Sequence, residues 1–171
     1  MTKKLKLDLG CGPNPAKGFR GVDLYTGPLK VDLFQFPWPW ADESVDEINC
    51  SHFIEHMPQG SWVPFVDEVW RILKPGAKAT ILHPNLKSAR AFQDPTHRDF
   101  IPAERWYYVQ RGWREANDLN HPPYPVCDFD VEVGAAFAPE FAGRTDEAVA
   151  QAAAYQWDVA LDLRVILTKR G

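Results

Sequence analysis

Two groups of residues in this chain of 171 amino acids have the types and spacing to do chemistry. The first is Asp8-Leu9-Gly10-Cys11-Gly12, followed by Asp23-Leu24. An apolar run ends in Asp8 and breaks into a glycine turn, and a second short run, Gly21-Val22, ends in Asp23. Glycine lets a backbone approach a ligand closely and adopt positive φ, and a carboxylate at a strand end can hold ribose hydroxyls. A nucleotide-like ligand is therefore expected against Gly10 and Gly12, with Asp8 and Asp23 beside it. The second group is His52-Phe53-Ile54-Glu55-His56 together with Asp94-Pro95-Thr96-His97-Arg98. Histidine as a residue type exchanges protons near neutrality, which makes His97 and His52 the candidate catalytic residues. Arg98 can grip a carboxylate or phosphate, and with Asp94 it is the candidate substrate contact. His52, Glu55 and His56 also match H-x-x-E-H, a zinc-protease pattern. That pattern needs a helix and a further ligand. Pro58 and Gly60 cut any helix short, and no other ligand is marked, so no metal is expected.

These residues need a frame to hold them. Lys4 to Leu9 and Arg20 to Tyr25 read as the first two strands, with Pro13 and Pro15 leaving space for only a turn or two between them. Lys30 to Phe34 reads as a third, short strand, and Phe36-Pro37-Trp38-Pro39-Trp40 as a loop or edge. Val45 to Ser51 is the fourth strand. Gly60 to Leu73 carries Trp62, Phe65, Val66, Val69, Trp70 and Leu73 at spacings of three and four, which predicts a helix stopped by Lys74-Pro75-Gly76. Lys78 to His83 makes the fifth strand. Leu86 to Asn120 is irregular and aromatic; it is read as one or two helices, best placed at Pro102 to Arg111, inserted over the strand ends. Asp128 to Phe137 and Asp158 to Thr168 are expected to pair as two further strands, with a helix over Thr145 to Tyr155. Strands alternating with helices and closed by a terminal strand pair indicate an α/β layered sheet.

Composition narrows the class. A formal charge of −4 gives no overall basic footprint for nucleic acid or an anionic membrane. Cys11, Cys50 and Cys127 are odd in number and widely spaced, which suits a reducing compartment and indicates neither a disulfide framework nor a zinc cluster. The apolar stretch after the basic start is only strand length and contains Asp8, so no signal peptide or membrane span is expected, and a cytoplasmic location is. The length suits one domain, residues 1–171, with an acceptor-binding lid around 86–125.

The glycine turn has two familiar rivals. A dinucleotide fingerprint opens a full helix with G-x-G-x-x-G and places an acid about 20 residues on; here Pro15 stands at the third glycine and Asp23 arrives sooner. A phosphate-binding P-loop needs Gly-Lys-Ser/Thr, which this turn lacks. The motifs downstream of the turn, and their order along the chain, are more telling. Val45-Asp46-Glu47-Ile48, Ser51-His52-Phe53-Ile54-Glu55-His56 and Val69-Trp70-Arg71-Ile72-Leu73-Lys74-Pro75-Gly76 succeed the L-D-L-G-C-G-P turn. With these motifs the chain resembles the class I S-adenosylmethionine-dependent methyltransferases over residues 5 to about 85. Ala77 replaces the usual second glycine after Lys-Pro-Gly, and the first crossover is shorter than usual.

The resemblance implies a Rossmann-like, doubly wound α/β fold with a mostly parallel sheet and an antiparallel C-terminal strand pair. It implies S-adenosylmethionine as cofactor, with Asp8, Gly10 and Gly12 toward its methionine part and Asp23 and Leu24 on the ribose. Asp32 and Leu33 would line the adenine, and Ser51 would border the site. The expected activity is methyl transfer by direct displacement to an oxygen or nitrogen of a small-molecule acceptor. Two alternatives stand beside it: a nucleic-acid methyltransferase using the basic, aromatic segment 87–114, and a non-catalytic cofactor-binding or scaffold subunit. Asn120-His121-Pro122-Pro123-Tyr124 resembles the Asp/Asn-Pro-Pro-Tyr loop of enzymes that methylate DNA amines, but His121 intervenes and the position is wrong, so it is read as a turn.

Overall fold

The apolar run at the amino end forms β1 (Lys6–Leu9) in a computed structural model that describes residues 4–171; Met1 to Lys3, at the basic start of the chain, lie outside the described residues. β2 (Arg20–Val22) and β3 (Val45–Ser51) flank β1 in parallel, and β4 (Leu73–Pro84) lies parallel to β3. The last two strands, β5 (Phe129–Phe137) and β6 (Ala160–Lys169), complete one sheet in the order β2-β1-β3-β4-β6-β5. β6 inserts antiparallel between β4 and β5. The sheet is therefore the expected one, parallel with an antiparallel C-terminal pair. Its crossovers are leaner than doubly wound folds usually show, because turns alone join β1 to β2 and β2 to β3.

Three sequence expectations need correction, each for a local polar reason. Lys30 to Phe34 is not a strand. Only Leu29 bridges to Val22, and the chain then turns at Asp32, whose carboxylate accepts the Phe34 N–H at 3.0 Å. β2 stops at Val22 rather than Tyr25, because Asp23 Oδ1 accepts the N–H groups of Tyr25 (2.9 Å) and Thr26 (2.8 Å) and folds the chain back. The helix expected over 102–111 is a 3-10 turn, Ala103–Val109, followed by a separate helix at Arg111–Ala116. Gln110 between them is extended, and Asp128 Oδ1 caps the restart by accepting the Arg111 N–H at 2.9 Å.

Helix α1 (Trp62–Ile72) follows the predicted periodicity and buries Phe65, Val66, Val69 and Ile72 completely. It joins a core that includes Leu7 and Leu9 of β1, Ile48 of β3 and Ile81 of β4. A second polar clamp holds the aromatic loop: Glu68 of α1 accepts the Trp38 N–H at 2.6 Å and the Arg71 Nε–H at 2.9 Å. The short α2 (Arg90–Gln93), the 3-10 turn and α3 (Arg111–Ala116) build the segment after β4. Fully buried Arg114 ties it down by donating to the carbonyls of Tyr108 (2.6 Å) and Cys127 (2.9 Å). Asp67 of α1 accepts the N–H groups of Val126 and Cys127, both at 2.9 Å. Before β6, α4 (Asp146–Tyr155) starts where Thr145 caps the Ala148 N–H and packs a small cluster around Phe141, Val149 and Val159. No helix among the described residues is long and apolar enough to cross a membrane.

Candidate active site

The glycine turn is fixed from both sides before any ligand is considered. Gly10 N–H and Cys11 N–H donate to the Val22 carbonyl at 2.8 and 3.2 Å, fastening the end of β1 to β2. Gly10 and Gly12 have φ of +65° and +56°, a left-handed conformation that disfavours side chains. Asp8 lies beneath the turn, 3% exposed, accepting from Ala16 N–H (2.7 Å) and the Asn49 amide (2.6 Å). It braces the turn against β3 and does not line the hollow above.

That hollow has a volume of about 400 Å³ and sits at the carboxyl ends of β1, β2 and β3, within the range of small-molecule sites and at the sheet edge where open α/β folds bind ligands. Gly10, Asp23, Leu24, Asp32 and Leu33 line it, as do Tyr25, Phe34 and Phe53. Phe34 and Phe53 stack at 5.4 Å between ring centres. Asp23 Oδ1 is saturated by Tyr25, Thr26 N–H and the Thr26 hydroxyl, whereas Oδ2 accepts only the Gly12 N–H, at 3.2 Å. Burial pulls the Asp23 carboxyl up, but the bonds from Thr26, Tyr25 and Gly12 outweigh it and hold the group below its ordinary pKa. A carboxylate oxygen has lone pairs for two donors, so Oδ2 of Asp23 keeps one for a hydroxyl. Oδ2 of Asp32 has no protein donor among the described residues. Anionic oxygens, aromatic walls and a side-chain-free turn are what a ribose, an adenine and an amino-acid end require. Gly12 frames the hollow through its N–H bond to Asp23, while Ser51 and the Asp8 side chain stand outside the lining.

A second, polar hollow of about 490 Å³ adjoins the first, and His52 and His56 line both. Its other walls are Glu55, Pro84, Arg90, Gln93, Asp94 and His97. The sequence-distant pieces meet because the Glu55 carbonyl accepts the N–H groups of Arg98 (2.7 Å) and Asp99 (3.1 Å). This lays the Asp-Pro-Thr-His loop against the 3-10 turn Ile54–His56. His97 and Asp94 are thus brought to His52, while Arg98 is exposed and its side chain is not part of the lining. His52 Nδ1 pairs with Glu55 Oε1 at 3.2 Å, which raises the His52 pKa above its ordinary value.

The sequence pattern missed Phe34, Phe53, Glu55, His56 and Arg90 as lining residues. The H-x-x-E-H spacing was the one signal for Glu55 and His56. Its further partner comes from a loop forty residues away in the chain, which spacing does not reveal. Size would have misled as well: a larger hollow, about 620 Å³, lies between β5 and α4 and is mostly apolar. The Asn120–Tyr124 stretch lines neither functional hollow, and His121 Nδ1 donates to its neighbour's carbonyl at 2.8 Å.

Residues 25–81 match the family model described as a methyltransferase domain. The fold is similar to that of an S-adenosylmethionine-dependent methyltransferase from Archaeoglobus fulgidus, with a TM-score of 0.67 at 17% identity, covering 97% of this chain and 86% of that one. A Mesorhizobium loti S-adenosylmethionine-dependent methyltransferase gives 0.54 at 16% identity, covering 98% and 91%. A Methanosarcina mazei protein of the same description gives 0.55 at 14%, covering 99% and 94%. No curated protein matches the sequence. Residues 25–81 are thus similar to the methyltransferase-domain family, and the fold as a whole is similar to that of solved S-adenosylmethionine-dependent methyltransferases.

Proposed function

We propose that the glycine-turn hollow holds S-adenosylmethionine and that the polar hollow holds a small acceptor, whose oxygen or nitrogen takes the methyl group by direct displacement. The observation that carries this is the shared wall: His52 and His56 border both hollows, so a ligand in one reaches a ligand in the other at that rim. When bound, the cofactor supplies an electrophilic methyl carbon whose bond to sulfur breaks as the acceptor's lone pair attacks. The protein's part is alignment. Asp23 Oδ2 and Asp32 Oδ2 hold the ribose side, the turn from Gly10 to Gly12 admits the methionine end, and Phe34 and Phe53 wall the hollow. Holding two reactants in line can supply about 7–11 kcal/mol of a barrier in favourable model reactions.

On the acceptor side, His97 Nδ1 donates to the Ala91 carbonyl at 2.9 Å. That bond fixes the tautomer of the neutral ring and leaves its Nε2 lone pair to receive an acceptor proton. Histidines, Glu55, Arg90 and Gln93 favour a polar acceptor with hydrogen-bonding groups. The nucleic-acid alternative loses support because the cations of 87–114 are largely spent inside the protein. Lys87 donates to the Ala153 and Ala154 carbonyls, Arg90 pairs with Asp162, Arg105 with Asp99, and Arg114 is buried.

Turnover is tested by following S-adenosylhomocysteine release against a panel of small hydroxyl and amine compounds. With the best acceptor, His97→Ala should lower kcat by about 10²–10⁴, the range of general acid–base contributions, while cofactor affinity stays unchanged. Full turnover in that variant would remove His97 from the reaction.

A further inference from the structure

We propose that Glu55, His56 and His97 form a divalent-cation site in the polar hollow, which binds an acceptor hydroxyl and favours oxygen as the methyl-accepting atom. One ligand atom from each of the three residues lies within 4.8 Å of the others. A tetrahedral ion bonded at about 2.0–2.2 Å holds its ligands about 3.3–3.6 Å from one another. Side-chain rotations that close the cluster, with its two half-buried imidazoles, by about 1 Å would therefore seat the ion.

Two further observations point to a missing ligand. Glu55 is 3% exposed, and its Oε2 is buried without any hydrogen-bond partner, although Oε1 is held by His52. A buried carboxylate oxygen with no donor is costly and calls for one. Each imidazole is also oriented as a ligand would be. His97 Nδ1–H is spent on the Ala91 carbonyl. His56 Nδ1 lies 3.0 Å from the Thr96 hydroxyl, whose own hydrogen goes to Asp94 Oδ1 at 2.7 Å, so the imidazole must be the donor in that pair. Both neutral rings thus point Nε2 lone pairs away from their Nδ1 anchors. Metal-binding histidines are commonly fixed this way, the second ring nitrogen donating to a carbonyl or a carboxylate-linked group.

Two histidines and one carboxylate with an open position make a Lewis-acid site suited to Zn²⁺. A cation there lowers the pKa of a bound hydroxyl. The proton leaves past His52 to solvent, the alkoxide oxygen forms its bond to the methyl carbon, and the carbon–sulfur bond breaks to give the neutral thioether. No electron is gained or lost, so a redox-inert ion serves. His97 then acts as a ligand and the cation replaces it as the activator.

This inference rests on the methyl-transfer reading, and calorimetry separates the two. Chelator-stripped protein is titrated with Zn²⁺ alone and, separately, with S-adenosylhomocysteine. One Zn²⁺ per chain is expected, with affinity reduced at least about 10–100-fold in His97→Ala, His56→Ala and Glu55→Gln, and unchanged in the outlying control His121→Ala. Circular dichroism shows that each variant is folded, retained S-adenosylhomocysteine binding adds to this for His97→Ala and Glu55→Gln, whose residues do not line the glycine-turn hollow, and the half-buried His97→Ala serves if Glu55→Gln does not fold. S-adenosylhomocysteine binding without Zn²⁺ binding, or Zn²⁺ affinity indifferent to all three substitutions, overturns the cation site and leaves methyl transfer standing. Zn²⁺ binding without S-adenosylhomocysteine binding does the reverse.

Discussion

Replacing Gly10 with alanine is expected to yield a protein that binds S-adenosylhomocysteine at least tenfold more weakly. A Cβ on Gly10 would stand 2.3 Å from Phe53 Cδ2 and 2.4 Å from Cγ, well inside any tolerated contact. The φ of +65° adds its own strain, about 1–2 kcal/mol for a residue with a side chain. The Phe53 ring must swing aside, and it is stacked on Phe34 in the wall of the glycine-turn hollow. Tenfold corresponds to about 1.4 kcal/mol of lost binding, a modest figure for a displaced wall. Gly12→Ala makes an instructive companion, because its Cβ would meet nothing within 4 Å in the protein alone. Unchanged affinity in Gly10→Ala, measured by calorimetry, would show that the Phe53 wall is not part of the site.

Trp106→Ala should be the most destabilising single change outside the sheet. The indole is completely buried, packs edge-on against Trp62 at 5.7 Å, and donates its Nε1–H to His83 Nε2 at 3.1 Å. It is the bolt that fastens the segment after β4 onto the sheet through His83, one residue from Pro84 in the wall of the polar hollow. Truncating a buried tryptophan costs about 3–5 kcal/mol, which for a chain of this size lowers Tm by roughly 6–20 °C. A fall of less than a few degrees would contradict the role. The same joint is acid-sensitive. Burial holds His83 below its ordinary pKa, and its Nδ1–H donates to the Pro84 carbonyl at 2.9 Å, so the folded ring is neutral. The unfolded chain takes up a proton below about pH 6.5. Stability from the neutral ring is therefore complete above that pH and lost as pH falls through the depressed native value.

Where short-range chemistry decides structure, the sequence was readable. β3 appears with its predicted bounds because Val45, Ile48 and Cys50 alternate into a core, and α1 because its apolar residues recur at helical spacing. The turn from Gly10 to Gly12 and Asp23 met in the expected order for the same reason. The misread segments were those where one carboxylate overrode propensity: Asp23 shortening β2, Asp32 turning what looks like a strand, Asp128 restarting a helix. Asp8 is the subtler case. Its place in the motif suggests contact with the cofactor, yet it is buried beneath the turn, held by Ala16 and Asn49, and does not line the hollow. The polar hollow was legible only in pieces, since Glu55 and His97 meet through backbone bonds that no local pattern encodes.

The most direct test of the cofactor site is calorimetric titration of the protein and its Asp23→Ala variant with S-adenosylmethionine and S-adenosylhomocysteine. Both ligands should bind the unaltered chain at one site per molecule. The variant should bind at least tenfold more weakly, because Asp23 loses a ribose acceptor and also releases the Gly12, Tyr25 and Thr26 backbone it holds. No binding of either ligand to the unaltered chain, or equal binding by the variant, would contradict the assignment of the glycine-turn hollow as the cofactor site.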